Sequence, residues 1–246
     1  MALPKITSYD EWRAARVELL AEEKALTRAR DALNTQRREL PMVRVDKDYR
    51  FDGPSGPVGL VDLFGGRPQL IVQHFMFDPA WDDGCPSCTS GVDELADGLV
   101  DHLQKRNTTY VLVSRAPIDK IENYRQRRGW TLPWYSSFGS DFNYDFHVSL
   151  DPVIAPVEYN FRDADELERS GAGWMNEGTW EQPGYSAFLH TADGVFHTYS
   201  MYARGAEWSG GSYAFLDLTP LGRQEDWEEP KGRSESVREA IPDFST

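Results

Sequence analysis

Residues 69–89 read QLIVQHFMFDPAWDDGCPSCT, an apolar run that passes through an acidic, turn-rich loop into a Cys-Pro-Ser-Cys pair. Leu70, Ile71, Val72, His74, Phe75, Met76 and Phe77 make a short β-branched and aromatic segment. Asp78 and Pro79 stop it, which is the pattern of a buried parallel strand. Beyond the loop, residues 91–103 carry Val92, Leu95, Leu99 and Leu103 at the spacing of a helix. The cysteines therefore fall at a strand-to-helix junction, Cys85 just outside the helix and Cys88 one turn inside it. Unpaired backbone N–H groups and the positive end of the helix dipole favour a thiolate there, and in such motifs a thiol pKa drops from about 8.5 to roughly 3.5–7.5. Cys85 is then the attacking sulfur. Cys88, one helical turn on, is near enough to displace it and close a disulfide.

Working outward, residues 109–114 (TYVLVS) read as a second buried strand, followed by a helix through Arg128 that Gly129 ends. Strand, helix, strand, helix with short connections calls for a parallel sheet with right-handed crossovers. Further on, 186–189 and 195–199 flank Ala192-Asp193-Gly194, a hairpin signal. His197 and Tyr199 alternate along it and are expected to face one side together. Upstream, Val43 and Val45 alternate, a Gly/Pro-rich turn covers 52–57, and 60–64 makes one helical turn. No G-K-[ST] or G-x-G-x-x-G pattern accompanies the glycines, so they read as turns and no cofactor is called for.

The N-terminal part, 1–46, reads as a helical extension. Ser8 and Glu11 form a capping-box pattern that opens a segment free of Gly and Pro until Pro41. Trp12, Leu19, Leu26, Leu33 and Leu40 recur every seven residues, but Ala15, Glu22, Ala29 and Gln36 make a poor second half of a coiled-coil seam. One or two helices packed on the domain is the favoured reading, with homo-oligomerisation through these helices left open. Residues 151–183 form an irregular insertion before the hairpin, with a short helix over 163–170 closed by Gly171. A packed element is expected to begin at 213–218. Residues 225–246 are acidic and polar and read as a loose tail.

Length and charge bound the function. The chain has 246 residues, enough for a sizeable core, and 26 Lys and Arg against 40 Asp and Glu give a formal charge of −14. Such a field repels polyanions, which argues against a nucleic-acid partner. The opening MALPKITSYDEW has no apolar core segment, and no apolar run is long enough to span a bilayer, so the expected address is cytoplasmic. In a reducing compartment the two cysteines, the only ones in the chain, point to catalysis or metal binding rather than a structural bridge.

The stretches DYRFDGPSG, FMFDPAWDDGCPSCT, VSRAP, PWYSSFGSDFNYDF, HTYSMYARG and LDLTPLGR, spread over 47–223, resemble a family of uncharacterised bacterial proteins described as predicted dithiol-disulfide oxidoreductases. The resemblance implies an α/β, thioredoxin-like fold over 47–224 with a peroxiredoxin-related element order. It also implies that Cys85 attacks and Cys88 resolves. Against a thioredoxin, Trp81 stands four residues ahead of Cys85 instead of next to it, and Asp82 and Asp83 oppose a thiolate and partly offset the helix dipole. Against a peroxiredoxin, the loop has Pro79 but no threonine where a P-x-x-x-T-x-x-C motif needs one. A cis-proline usually faces the pair in such folds, and Pro133 and Pro183 are the candidates.

Arg115 follows the second strand at the sheet edge where α/β ligand sites gather; its guanidinium would stabilise Cys85, bind a carboxylate, or pair with a neighbouring acid. Arg204 carries the same readings. Trp130, Trp134, Tyr135, Phe138, Phe142, Tyr144 and Phe146 crowd one stretch, read as core ahead of pocket wall, while Ser137, Asp141, Asn143 and Asp145 line the cysteine cleft or cap turns. His74 reads as a core histidine. The first function class is thiol-disulfide exchange with a disulfide-containing substrate and a cellular thiol reductant as partners. The second makes Cys85 and Cys88 half of a metal site completed by His74, His197 or a carboxylate, and only five histidines are available. A non-catalytic binding domain is the third.

Overall fold

The structure, a computed structural model, describes residues 4–96, 98–209 and 231; the expectations for 213–218 and for the tail at 225–246 lie outside these residues. The chain divides into two compact units with a boundary between Pro41 and Met42. The first holds α1 (Tyr9–Glu39), a single helix of 31 residues. Ser8 Oγ accepts the Glu11 N–H, and the Glu11 carboxylate accepts the Ser8 N–H at 3.3 Å, so the predicted capping box forms. None of its residues is buried, and Trp12, Leu19, Leu26, Leu33 and Leu40 stay exposed.

The second unit starts with β1 (Val43–Arg44), the hairpin β2 (Arg50–Gly53) and β3 (Gly56–Gly59), and the single turn α2 (Leu60–Leu63). Then come β4 (Gln69–His74), α3 (Pro86–Asp93), α4 (Leu99–Gln104), β5 (Thr108–Ser114), α5 (Ile118–Arg128), β6 (Trp134–Ser136) and α6 (Phe142–Asp145). The inserted region contributes β7 (Ser149–Leu150), β8 (Glu158–Tyr159), β9 (Arg162–Asp163), α7 (Ala164–Arg169) and β10 (Trp180–Glu181). The long hairpin β11 (Gly184–Thr191) and β12 (Gly194–Tyr202) closes the sheet. The helix expected to run from the cysteines through Leu103 is two helices instead: α3 ends at Asp93, and α4 restarts after Gly98, whose φ of +86° ends regular winding. Gly129, at φ +69°, stops α5 as expected.

Eight strands make the central sheet in the order β1-β12-β11-β4-β5-β6-β2-β3. β4, β5 and β6 run parallel, and β11 lies antiparallel to β4 with β12 beyond it. A parallel β4-helix-β5 unit with an antiparallel hairpin added beside its first strand is the thioredoxin plan, and β6 and the β2–β3 hairpin extend it on the far side. The fold is α/β and thioredoxin-like.

Strand alternation sorts the core into two faces. Leu70, Val72, Val111, Val113 and Phe188 pack with α2, Phe142 and Phe146 on one face. Phe75, Tyr110, Leu112 and Trp134 pack with Cys85, Cys88, Val92, Ile121 and Tyr124 on the other. The inserted region has a small core of its own, Val148, Leu150, Val157, Tyr159, Leu167 and Met175, which Tyr202 of β12 joins. Among the described residues no helix is long and apolar enough to cross a membrane.

Candidate active site

The chain leaves β4 at His74 and crosses a loop to α3, which begins with Pro86 at its first position, where a missing N–H costs nothing. Cys85 is the N-cap. Its N–H donates to the Met76 carbonyl at 2.9 Å, and its own carbonyl accepts the Thr89 N–H and the Thr89 hydroxyl, each at 2.9 Å. Thr89 Oγ1 also lies 2.8 Å from the Tyr124 hydroxyl, so α5 braces the first turn of α3. Gly84 is required by close approach: a Cβ there would stand 2.5 Å from the ring of buried Phe75.

Both cysteines are free thiols and both are buried. The Cys88 S–H donates to the Cys85 sulfur, and this bond, opposed by desolvation and aided by the N–H groups of Cys88 and Ser87, brings the Cys85 thiol down to about 6. The same bond and the same burial push the Cys88 thiol well above its ordinary value, as does the Cys85 charge. The two shifts run in opposite directions, which makes Cys85 the more acidic thiol of the pair and Cys88 the one that keeps its proton. Asp82 and Asp83, expected to oppose that thiolate, are not among the groups that set the acidity of Cys85, and the Asp83 carboxylate is paired with Arg127.

The other sequence candidates fall in four places. Trp81 is in the cysteine loop and partly exposed, with its carbonyl held by Lys120 Nζ at 2.6 Å. Ser137 and Asn143 are buried under the C-terminal end of β5: Ser137 Oγ donates to the Asn143 side-chain oxygen at 2.8 Å, and the Ser137 N–H to the Ser114 carbonyl at 2.8 Å. Asp141 and Asp145 meet Lys47 Nζ at 2.7 and 2.6 Å, and Asp145 also accepts the Tyr49 hydroxyl, so both carboxylates are engaged away from the cysteines. Pro183 leads into β11, whose Gly184 pairs with His74, and Arg204 is exposed in the 3-10 turn after β12. Trp134, Phe142 and Phe146 are core, while Phe138 is exposed.

Arg115 is committed to protein partners. Nε donates to Glu181 at 2.7 Å, one terminal nitrogen to the Tyr144 hydroxyl at 3.1 Å, and the other to Asp78. Of its three sequence readings, pairing with acids is the one that forms.

His74 and His197 lie on the opposite face of the sheet from the cysteines. His74 shares a face with Leu70 and Val72, and its Nε2 is 2.8 Å from Ser186 Oγ. Ser186 Oγ is 2.8 Å from Ser200 Oγ, which is 2.7 Å from His197 Nε2. Burial pushes His74 down to about 3, and His197 in the same direction. His197 and Tyr199 do not share a face, contrary to simple alternation: a bulge shifts the register between Ala187 and Phe188, so His197 pairs with Phe188 and Tyr199 with Ala187. Neither histidine completes a metal site with the cysteines, and among the described residues no three His, Cys, Asp or Glu side chains are grouped to hold an ion.

The residues not singled out from the sequence are Asp78, Thr89, Tyr110, Lys120, Tyr124 and Glu181. Tyr110 is buried on the cysteine face, donates to Gln73, and is bonded to Tyr185. Thr89 carried a signal, since a threonine one turn after an N-cap cysteine bonds back to its carbonyl. Glu181 carried none.

The chain belongs to the family described as bacterial protein of unknown function (DUF899), whose model matches residues 1–240. No curated protein matches it. Similar solved structures include a cysteine mutant of PrxQ from Xylella fastidiosa, at 13% identity and a TM-score of 0.43 over 68% of this chain and 91% of that one. Another is a cysteine mutant of peroxiredoxin Q from Xanthomonas campestris, at 12% identity and a TM-score of 0.44 over 69% and 92%.

Proposed function

We propose that this member of the bacterial family is a thiol-disulfide oxidoreductase working through Cys85 and Cys88. The observation that carries the reading is the asymmetry of the pair: the thiol at the N-terminus of α3 is lowered to about 6, and the thiol one turn inside is raised and hydrogen-bonded to it. The Cys85 thiolate attacks one sulfur of a substrate disulfide. A Cys85–substrate S–S bond forms, the substrate S–S bond breaks, and the leaving thiolate departs with the electron pair. Loss of the Cys85 charge removes what held the Cys88 proton, which passes to a leaving thiolate or to solvent. The Cys88 sulfur then attacks Cys85, closing the Cys85–Cys88 disulfide and releasing the second substrate thiol. Two electrons have moved from the dithiol to the substrate, and a cellular thiol reductant returns them. Arg115 and the Ser137–Asn143 pair support the edge of the sheet from which the cysteine loop rises.

Trapping tests the reading. In Cys88→Ser the resolving step is lost, so mixed disulfides accumulate through Cys85, while Cys85→Ser accumulates none. Silence of both variants toward model disulfides and in cells would leave a folded dithiol with no exchange activity.

A further inference from the structure

One side chain ties the inserted region to the cysteine loop. The Arg115 guanidinium bridges Asp78, which opens that loop, and Glu181 of β10. Asp78 organises the first turn of the loop: its Oδ1 accepts the Ala80 N–H at 2.7 Å and its carbonyl the Trp81 N–H at 3.1 Å. Lys120 Nζ holds the Pro79 and Trp81 carbonyls at 2.9 and 2.6 Å, so two cations of adjoining segments pin residues 78–81. On the other side of Arg115, the Glu181 side chain is only 2% exposed, and Ser149 Oγ of the paired strand β7 lies 3.0 and 2.8 Å from its two oxygens. Two carboxylates against one guanidinium leave an uncompensated negative charge in a site with little water. Desolvation pushes Glu181 up to about 7, although Arg115 and Ser149 pull the other way and Asp78 adds to the rise. The groups facing the carboxyl are Arg115, Asp78 and Ser149, with Tyr144 across the guanidinium.

We propose that Glu181 is a positioning residue of the cysteine site: by orienting Arg115 onto Asp78 it fixes the 78–81 loop, and so makes access to Cys85 depend on the ionisation of a carboxyl in the inserted region. This rests on the reading of Cys85 as the attacking thiol. With Glu181 ionised, Arg115 is anchored from behind by a charge-assisted bond, and the loop that leads to the buried Cys85 is held in place. With Glu181 neutral, the anchor weakens and the sulfur is easier to reach, but less well placed for exchange.

The test compares the rate at which iodoacetamide alkylates Cys85, read by peptide mass spectrometry, in the reduced full-length protein and in Glu181→Gln from about pH 5.5 to about pH 8.5. At the acid end the wild-type carboxyl is protonated, and the two rates are equal. At the alkaline end the variant reacts about fivefold faster, the order of difference between a charge-assisted and a neutral hydrogen bond. Ser149→Ala keeps the carboxyl but removes a bond that favours its ionised form. The pH at which its profile departs from that of Glu181→Gln is expected to lie higher than in the wild type. A ratio of one at every pH, a constant ratio that ignores pH, or no movement in Ser149→Ala would overturn the proposal. Mixed-disulfide trapping run in parallel separates the two readings, since its absence removes the exchange activity and leaves the alkylation ratio to decide the role of Glu181.

Discussion

Burial moves single residues in this fold far from their ordinary ranges, neighbouring charges and hydrogen bonds adding to it or opposing it. In the His74–Ser186–Ser200–His197 chain, three hydrogen bonds need three protons and the two hydroxyls supply two. One imidazole must therefore donate from Nε2 and the other accept, so the chain tolerates one extra proton but not two. His74 sits at about 3 against 6.5 when free. Its folded pKa is depressed, so its contribution to stability is present above about 6.5 and is lost as pH falls toward 3. Glu181 sits at about 7 against 4.5. Its contribution is present below about 4.5 and is lost as pH rises through 7. Between those unfolded-state values the two slopes oppose each other, each at about 1.4 kcal/mol per pH unit. Urea midpoints measured against pH should show Glu181→Gln losing stability toward acid more steeply than the wild type, and His74→Gln less steeply. Parallel curves for all three would contradict both assignments.

At the level of elements, the start of α3 depends on packing that forbids a side chain just before the first cysteine. Gly84→Ala puts a methyl group against Phe75, and overpacking of this kind costs about 2 kcal/mol. A lowered urea midpoint accompanied by faster alkylation of Cys85 is the expected outcome, and an unchanged midpoint would show that the loop can yield. At the other end of the chain the α1 cap is a local device: Ser8→Ala should reduce helix stability by about 1 kcal/mol, measurable by thermal unfolding followed by circular dichroism. Elements such as these were legible because their signals are local. Ser8 with Glu11, Gly129 after α5, and Ala192-Asp193-Gly194 at the turn from β11 into β12 each act within a few residues. The break between α3 and α4 was not legible, since the apolar spacing of Val92, Leu95, Leu99 and Leu103 continues straight across Gly98. Nor was the bulge that turns His197 and Tyr199 to opposite faces, because alternation assumes an unbroken register.

Across the whole molecule, the thioredoxin-like plan followed from the order of strand, helix, strand, helix and hairpin, and the sheet realises it with β11 beside β4. Long-range pairings decided the rest of the candidate site. Arg115 and Glu181 are 66 positions apart and meet only because β10 is folded against β7. Asp141 and Asp145 looked free to face the cysteines, but Lys47 lies within ion-pair distance of both. The central claim is that the reduced protein carries one stable thiolate, on Cys85, made by the N-terminus of α3 and the Cys88 thiol. It is tested most directly by following the ultraviolet thiolate absorbance of the reduced protein against pH. One thiolate should appear with a midpoint of about 6, be lost in Cys85→Ser and be displaced upward in Cys88→Ala, which removes the bond that contributes most to the shift. A first thiolate appearing only near the free-cysteine value of about 8.5 would contradict it.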